Sequence, residues 1–293
     1  MPAELIFETL IAGVLLGCFY AAVSLGLSVA FGLLDIPHIA HPALLVLGAY
    51  GVWLLGGYGV DPLIAGVLLV PVFFALGLAI YRFYHYVFEA DGGEGGLRGL
   101  AFFFGLAFVI EVALILAFGV DQRMAQADYI GTGVSFGEMR MPVRLMIAFG
   151  IAVLLTISLS QFLSRTFTGR AIRAVAQDRT ALALMGADPV RIKQQAFGIA
   201  TASCALAGAL LLIVGPVEPG LGRLYIGRTF CVVVLAGLGS IHGTLAAGII
   251  LGVAESLVLT SLGASWAPAA WAPSTWRRPP ARMWHSRCSI PTS

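Results

Sequence analysis

"LIAGVLLVPVFFALGLAIYRFYHYVF", residues 63–88, decides the fold. No charge interrupts it from Leu63 to Ile80, and its apolar residues follow neither the alternation of a half-buried strand nor the single stripe of a soluble helix. A segment apolar on every face and longer than the ~18 residues that cross a bilayer reads as a transmembrane helix. A membrane barrel would instead show alternating segments of ~10 residues. Comparable runs lie at 5–34, 40–56, 97–119, 143–164, 196–216 and 229–263, and the last is long enough for a broken helix followed by a full one. With 59% hydrophobic and 11% charged residues and a mean hydropathy of +0.94, the chain holds more apolar surface than one soluble core of 293 residues would bury. The sequence therefore predicts an all-α, polytopic transmembrane bundle of about seven to eight spans. It forms one domain over residues 1–268, with residues 269–293 set apart.

The four cysteines, Cys18, Cys204, Cys231 and Cys288, are scattered, and three lie in apolar runs. That favours small packing residues over a disulfide framework or a metal site. A net charge of +2 is too small to imply a nucleic-acid partner. The opening "MPAELIFETL" has acids and no basic region, so the first helix is expected to stay in the membrane.

Polar residues inside apolar runs are the candidates for a path through the bundle. In "DIPHIAHPALLVLGAY", residues 35–50, Asp35, His38 and His41 stand beside two prolines. The histidine spacing could ligate a metal, but no third ligand is evident, and a proline-broken helix facing a cavity is the preferred reading; neither metal nor cofactor is expected. Glu111 and Glu255 interrupt apolar runs. They read either as proton-coupling groups or as carboxylates bonded inside the bundle, the second being preferred. Residues 234–252, "VLAGLGSIHGTLAAGIILG", include Gly237, Gly239 and Ser240 and mark tight helix packing or a re-entrant turn, which sequence alone does not separate.

The main polar island is "GRAIRAVAQDRTALALMGADPVRI", residues 169–192. Six of the 17 basic residues (Arg165, Arg170, Arg173, Arg179, Arg191 and Lys193) fall within 165–193. By the positive-inside bias this loop faces the cytoplasm, and five preceding spans put the amino terminus outside. Ile172, Val175, Leu182 and Gly186 share a stripe while Arg170, Arg173, Gln177 and Asp178 point elsewhere, so residues 170–185 are expected to form one short amphipathic helix. Gly186 should end it, and Asp188 and Pro189 should start the next. An interfacial helix held by anionic lipid and a plain topology signal compete with a docking role.

The stretch 169–193 resembles the coupling loop of permease subunits of branched-chain amino acid ABC transporters. Thr180, Ala181 and Leu182 precede Gly186 at the spacing of that loop's Glu-Ala-Ala, three residues, Gly signature. Residues 234–256 and 17–50 are similar to two further segments of the family, and the resemblance covers most of 9–263. It implies a transport subunit of the bacterial inner membrane, without catalytic residues of its own. It also implies a second permease subunit, cytosolic ATPases, a periplasmic or extracellular substrate-binding protein and lipid as partners. Gly169, Arg170, Arg173, Gln177, Asp178, Ala181 and Gly186 would couple to the ATPase, and His38, His41, Glu111, Gly237, Gly239, Ser240 and Glu255 would line the path.

Thr180 and Leu182 depart from the signature, His38 stands where the family has Asn, Pro42 replaces a Gly and His242 a Pro. Lys193 is the only lysine and no phosphate-binding GxxxxGK[ST] loop occurs, so ATP hydrolysis falls to another subunit. A urea or short-chain amide permease is the near alternative, an ion-coupled transporter using Asp35, Glu111 or Glu255 the distant one, and an intramembrane enzyme the weakest. The tail from about 269 holds three further Trp and four Arg and fits no span, so it is expected either to be a disordered basic tail or, the preferred reading, to be read in a shifted frame.

Overall fold

The computed structural model describes residues 3–262, apart from 35, 37, 90–95, 126, 128–132 and 137–138. The expectations for Asp35 and for the tail lie outside the described residues. The chain runs through α1 (Ala3–Leu34), α2 (His41–Gly56) and α3 (Pro62–Tyr84), continued by a π-helical turn His85–Glu89, to α4 (Gly96–Phe118). Strands β1 (Gly133–Phe136) and β2 (Met139–Pro142) follow, then α5 (Val143–Arg165), α6 (Phe167–Gln177), α7 (Arg179–Leu184), α8 (Pro189–Val214), α9 (Leu221–Ala236) and α10 (Ile241–Leu262). The bundle is helical as expected. Between α4 and α5 the strands β1 and β2 pair antiparallel, Gly133 with Pro142 and Phe136 with Met139.

Among the described residues six helices are long and apolar enough to cross a membrane. α2 and α9 have 16 residues each. At 1.5 Å per residue each is ~24 Å long, short of the ~30 Å hydrocarbon core. The run expected at 229–263 is thus α9 followed by α10, with α9 beginning earlier, at Leu221. The starts of the two short helices meet inside the bundle: a side chain on Gly222 would sit 3.3 Å from the Ala43 nitrogen and the Pro42 carbonyl. Neither start has a side-chain cap.

α1 and α8 form the centre and are largely buried, whereas α3, α4 and α5 keep most of their surface outward, toward lipid or partner. Glycine sets how closely α1 meets α10. A Cβ on Gly17 would fall 2.5 Å from the Gly248 carbonyl oxygen, and one on Gly252 2.3 Å from the Gly17 nitrogen. Two Gly-x-x-x-Gly pairs, Gly13/Gly17 and Gly248/Gly252, therefore interlock, which is how helices gain van der Waals contact where lipid supplies no hydrophobic drive. The segment 234–252 contains both features left open by its sequence. Its front forms a turn, with Gly237 at φ +78 and Gly239 at φ +83, and its rear packs on α1.

Gly17→Val should force α1 and α10 apart and lower stability in detergent by about 2 kcal/mol or more. Gly150→Val on α5, where a new Cβ meets nothing within 4 Å, should leave thermal unfolding within about 0.5 kcal/mol of the parent.

Candidate functional site

Two regions carry the polar chemistry: the α6–α7 loop at one end of the bundle and a set of charges and histidines within it. Thr166 starts α6 by accepting the Gly169 N–H through Oγ1 at 3.0 Å. Ile172 and Val175 are buried, and Ile172 joins a cluster with Tyr81, Tyr84, Phe103 and Phe197. Gly169 is also buried, and a Cβ there would meet the Phe162 carbonyl at 2.3 Å, so its role is close packing on the end of α5. Arg170, Arg173, Gln177, Asp178 and Ala181 are exposed.

The single helix expected over 170–185 is in fact two. Asp178 takes an extended conformation (φ −153, ψ 109), ends α6 and accepts the Thr180 and Ala181 N–H groups at 2.8 and 3.0 Å to start α7. A short carboxylate that can bond its own downstream backbone competes with the helix, and here it wins. Leu182 keeps its place on the buried stripe, but Gly186 is exposed and off it. Gly186 sits in the left-handed region at φ +82, and the Ala187 N–H reaches back to the Leu182 carbonyl at 3.3 Å. Asp188 then caps α8 through the Val190 N–H at 3.0 Å, as expected. Leu184 and Met185 on α7 stand 85% and 84% exposed, an apolar tip that the sequence reading missed. Lys193, counted with the loop's basic residues, is instead buried and paired with Glu89 at 3.2 Å, and Glu89 also accepts from Tyr81 and His85.

Inside the bundle, both candidate glutamates are ion-paired. Glu111 of α4 pairs with Arg223 of α9. Glu255 of α10 accepts from Arg228 at 2.7 Å and from the Tyr20 hydroxyl at 2.8 Å, and the Arg228 guanidinium also lies 5.5 Å over the Tyr20 ring. Both acids are thus bonded within the bundle. Their partners were missed because Arg223 and Arg228 precede the apolar run counted from 229; an acid inside a membrane demands a partner, and that demand was the available signal.

His41 and His38 differ. His41 Nε2 donates to the Val23 carbonyl at 2.9 Å, which leaves Nδ1 to accept from the Cys204 thiol at 3.3 Å. His38 is fully buried with neither ring nitrogen bonded, its ring flanked by Phe103 and Phe197 at 4.9 and 4.6 Å between centroids. Among the described residues no three metal-ligating side chains come together. Gly239 packs on Gly32 of α1, Gly237 is exposed, and the Ser240 hydroxyl accepts the Gly243 N–H at 3.1 Å; these three shape the α9–α10 turn and are remote from Glu111.

Arg228→Leu, which strands the Glu255 carboxylate, should destabilise the bundle by about 3 kcal/mol, whereas Arg228→Leu combined with Glu255→Leu should recover most of that loss. Thermal unfolding of the purified protein in detergent reads both.

Residues 9–277 match the family described as the branched-chain amino acid transport system / permease component. The chain is 28% identical, over 85% of its length and 85% of the relative's, to the high-affinity branched-chain amino acid transport system permease protein BraD of Pseudomonas aeruginosa. It is 27% identical to the corresponding protein LivH of Escherichia coli, over 84% and 83% of the two chains. It is also 24% identical to a probable branched-chain amino acid transport permease protein LivH of Methanocaldococcus jannaschii, over 83% and 78%. No solved structure matches. A helical bundle with a capped loop between α5 and α8, matched along nearly its whole length, belongs to the family of branched-chain amino acid transport permease components.

Proposed function

We propose that the chain is the permease subunit of an ATP-driven importer in the bacterial inner membrane, carrying branched-chain or similar aliphatic amino acids. The chain is a transport permease rather than an enzyme. It works with a second permease subunit, cytosolic ATPases and a substrate-binding protein on the opposite face. Residues 165–195 form the coupling loop on the cytoplasmic side, within one permease domain over 1–268. The relatives' printed names favour amino acids over urea or amides, and the ion-paired state of Glu111 and Glu255 favours an ATP-driven mechanism over an ion-coupled one.

One observation carries the reading: α6 and α7 are a short pair, each started by a side-chain cap, that exposes Arg170 and Arg173 on α6 and an apolar tip, Leu184 and Met185, at the end of α7. An exposed apolar tip on a capped two-helix loop that also exposes arginines suits protein docking better than it suits lipid, which would take the arginines and the apolar face on opposite sides of one continuous helix. Because α6 packs on the end of α5 and Asp188 fixes the start of α8, a push on α7 is passed to both spans. In alternating access, nucleotide-driven closure of the ATPases would supply that push.

Leu184→Asp with Met185→Asp should leave membrane insertion at the parental level while cutting ATP-driven leucine uptake about tenfold or more, the loss of ~1.4 kcal/mol or more of docking free energy. Uptake that survives ATP depletion but stops with collapse of the proton gradient would overturn the proposal.

A further inference from the structure

We infer that the Glu111–Arg223 pair is where the permeating substrate's charged ends are recognised: the Arg223 guanidinium takes an α-carboxylate and the Glu111 carboxylate takes an α-ammonium. The inference rests on the transport function proposed above and deepens it by naming the residues that handle a zwitterion.

The placement comes first. Glu111 lies seven residues before the end of α4 at Phe118, and so about 10 Å inside the helix end at 1.5 Å per residue. Arg223 stands at the third position of α9, the short helix whose start packs on Pro42 and Ala43 of the other short helix, α2. Glu111 is 10% exposed, but the Arg223 side chain is 69% exposed. An arginine among membrane-spanning helices almost always faces water or protein rather than hydrocarbon, so the surface it shares with Glu111 points to water or to another protein subunit. The pair differs in this from Glu255–Arg228, whose side chains are 4% and 23% exposed and which Tyr20 and Tyr225 close off.

The chemistry follows. A free aliphatic amino acid carries no net charge but two full charges, and moving it through a low-dielectric passage strands both unless each finds a partner. A single cation or anion could meet one end only, and would itself be an uncompensated charge when the site is empty. A preformed acid–base pair is neutral when empty and offers both partners when it opens. The substrate then inserts between guanidinium and carboxylate, exchanging one ion pair for two. Arg223 keeps further N–H donors beyond the one given to Glu111, enough for a bidentate carboxylate contact. Surroundings for the aliphatic side chain are present as well. Phe108, one helical turn from Glu111 on α4, is 61% exposed, and Leu224, next to Arg223, is 59% exposed. Gly220 borders the pair, since a Cβ there would come within ordinary contact of both, 3.5 Å from Arg223 and 3.8 Å from Glu111.

The test uses the complete transporter in proteoliposomes, with radiolabelled leucine delivered by its binding protein and ATP inside. Glu111→Gln and Arg223→Gln, singly and together, should each assemble normally and lower leucine uptake about a hundredfold, because the desolvated charge of the substrate loses its partner. The paired variant decides between recognition and simple bracing. Two glutamines can still bond to each other and hold α4 to α9, so a bracing role predicts that the double variant transports near the parental rate, and that result would overturn the inference. Failure of the double variant to retain its partner subunits would also overturn it, by assigning the pair to the subunit interface. If the unmodified protein shows no ATP-driven leucine uptake, it is the transport proposal that fails.

Discussion

In hydrocarbon every backbone amide and carbonyl must find a partner within the protein. The arrangement of this bundle depends on that constraint, because the chain leaves helical geometry more than once between its long spans. The breaks are not scattered over the lipid-facing surface. The α9–α10 turn lies against the end of α1, where Gly32 and Gly239 come together without side chains between them. The start of α9 lies against the start of α2 at Gly222, Pro42 and Ala43. The breaks thus lie against helix backbone that carries no side chain at the contact, Gly32 of α1 in one case and Gly222 of α9 in the other. The glycine seam between α1 and α10 fixes the distance at which these breaks can meet.

The two short helices, α2 and α9, give this constraint its functional weight. A helix that starts within the bundle brings polar residues to a depth that a continuous span would fill with leucine. α9 uses this position for two arginines, each matched to a glutamate on a neighbouring helix, Glu111 on α4 and Glu255 on α10. The pairs divide by exposure, Arg228–Glu255 being enclosed and Arg223 standing out on the surface. At the far end of α5, caps at Asp178 and Asp188 and the left-handed Gly186, together with the buried Ile172 and Val175, set the shape of the loop between α5 and α8.

Much of this was legible in the sequence, for identifiable reasons. The long spans were, because apolar runs such as 63–88 admit no other environment, and so was the Asp188–Pro189 start of α8, whose residues act on their own backbone. The split at Asp178 was not: the apolar stripe from Ile172 through Leu182 continues across it, and periodicity hides a cap inside an otherwise helical pattern. The ion pairs were half legible. Glu111 and Glu255 stood out within apolar runs, but pairing them with Arg223 and Arg228 needs contacts across 112 and 27 positions of sequence. Lys193 misled for the same reason, since its partner Glu89 lies 104 residues away.

The central claim is that the Arg223 face of α9 borders an aqueous path within the membrane rather than lipid. The direct measurement places one cysteine at that position (Arg223→Cys) in a chain with Cys18, Cys204, Cys231 and Cys288 removed. The assembled transporter is then exposed to a charged, membrane-impermeant thiol reagent and, separately, to a lipid-soluble maleimide. Rapid labelling by the charged reagent is the expected result. Labelling by the lipid-soluble reagent alone would place Arg223 against hydrocarbon and contradict it.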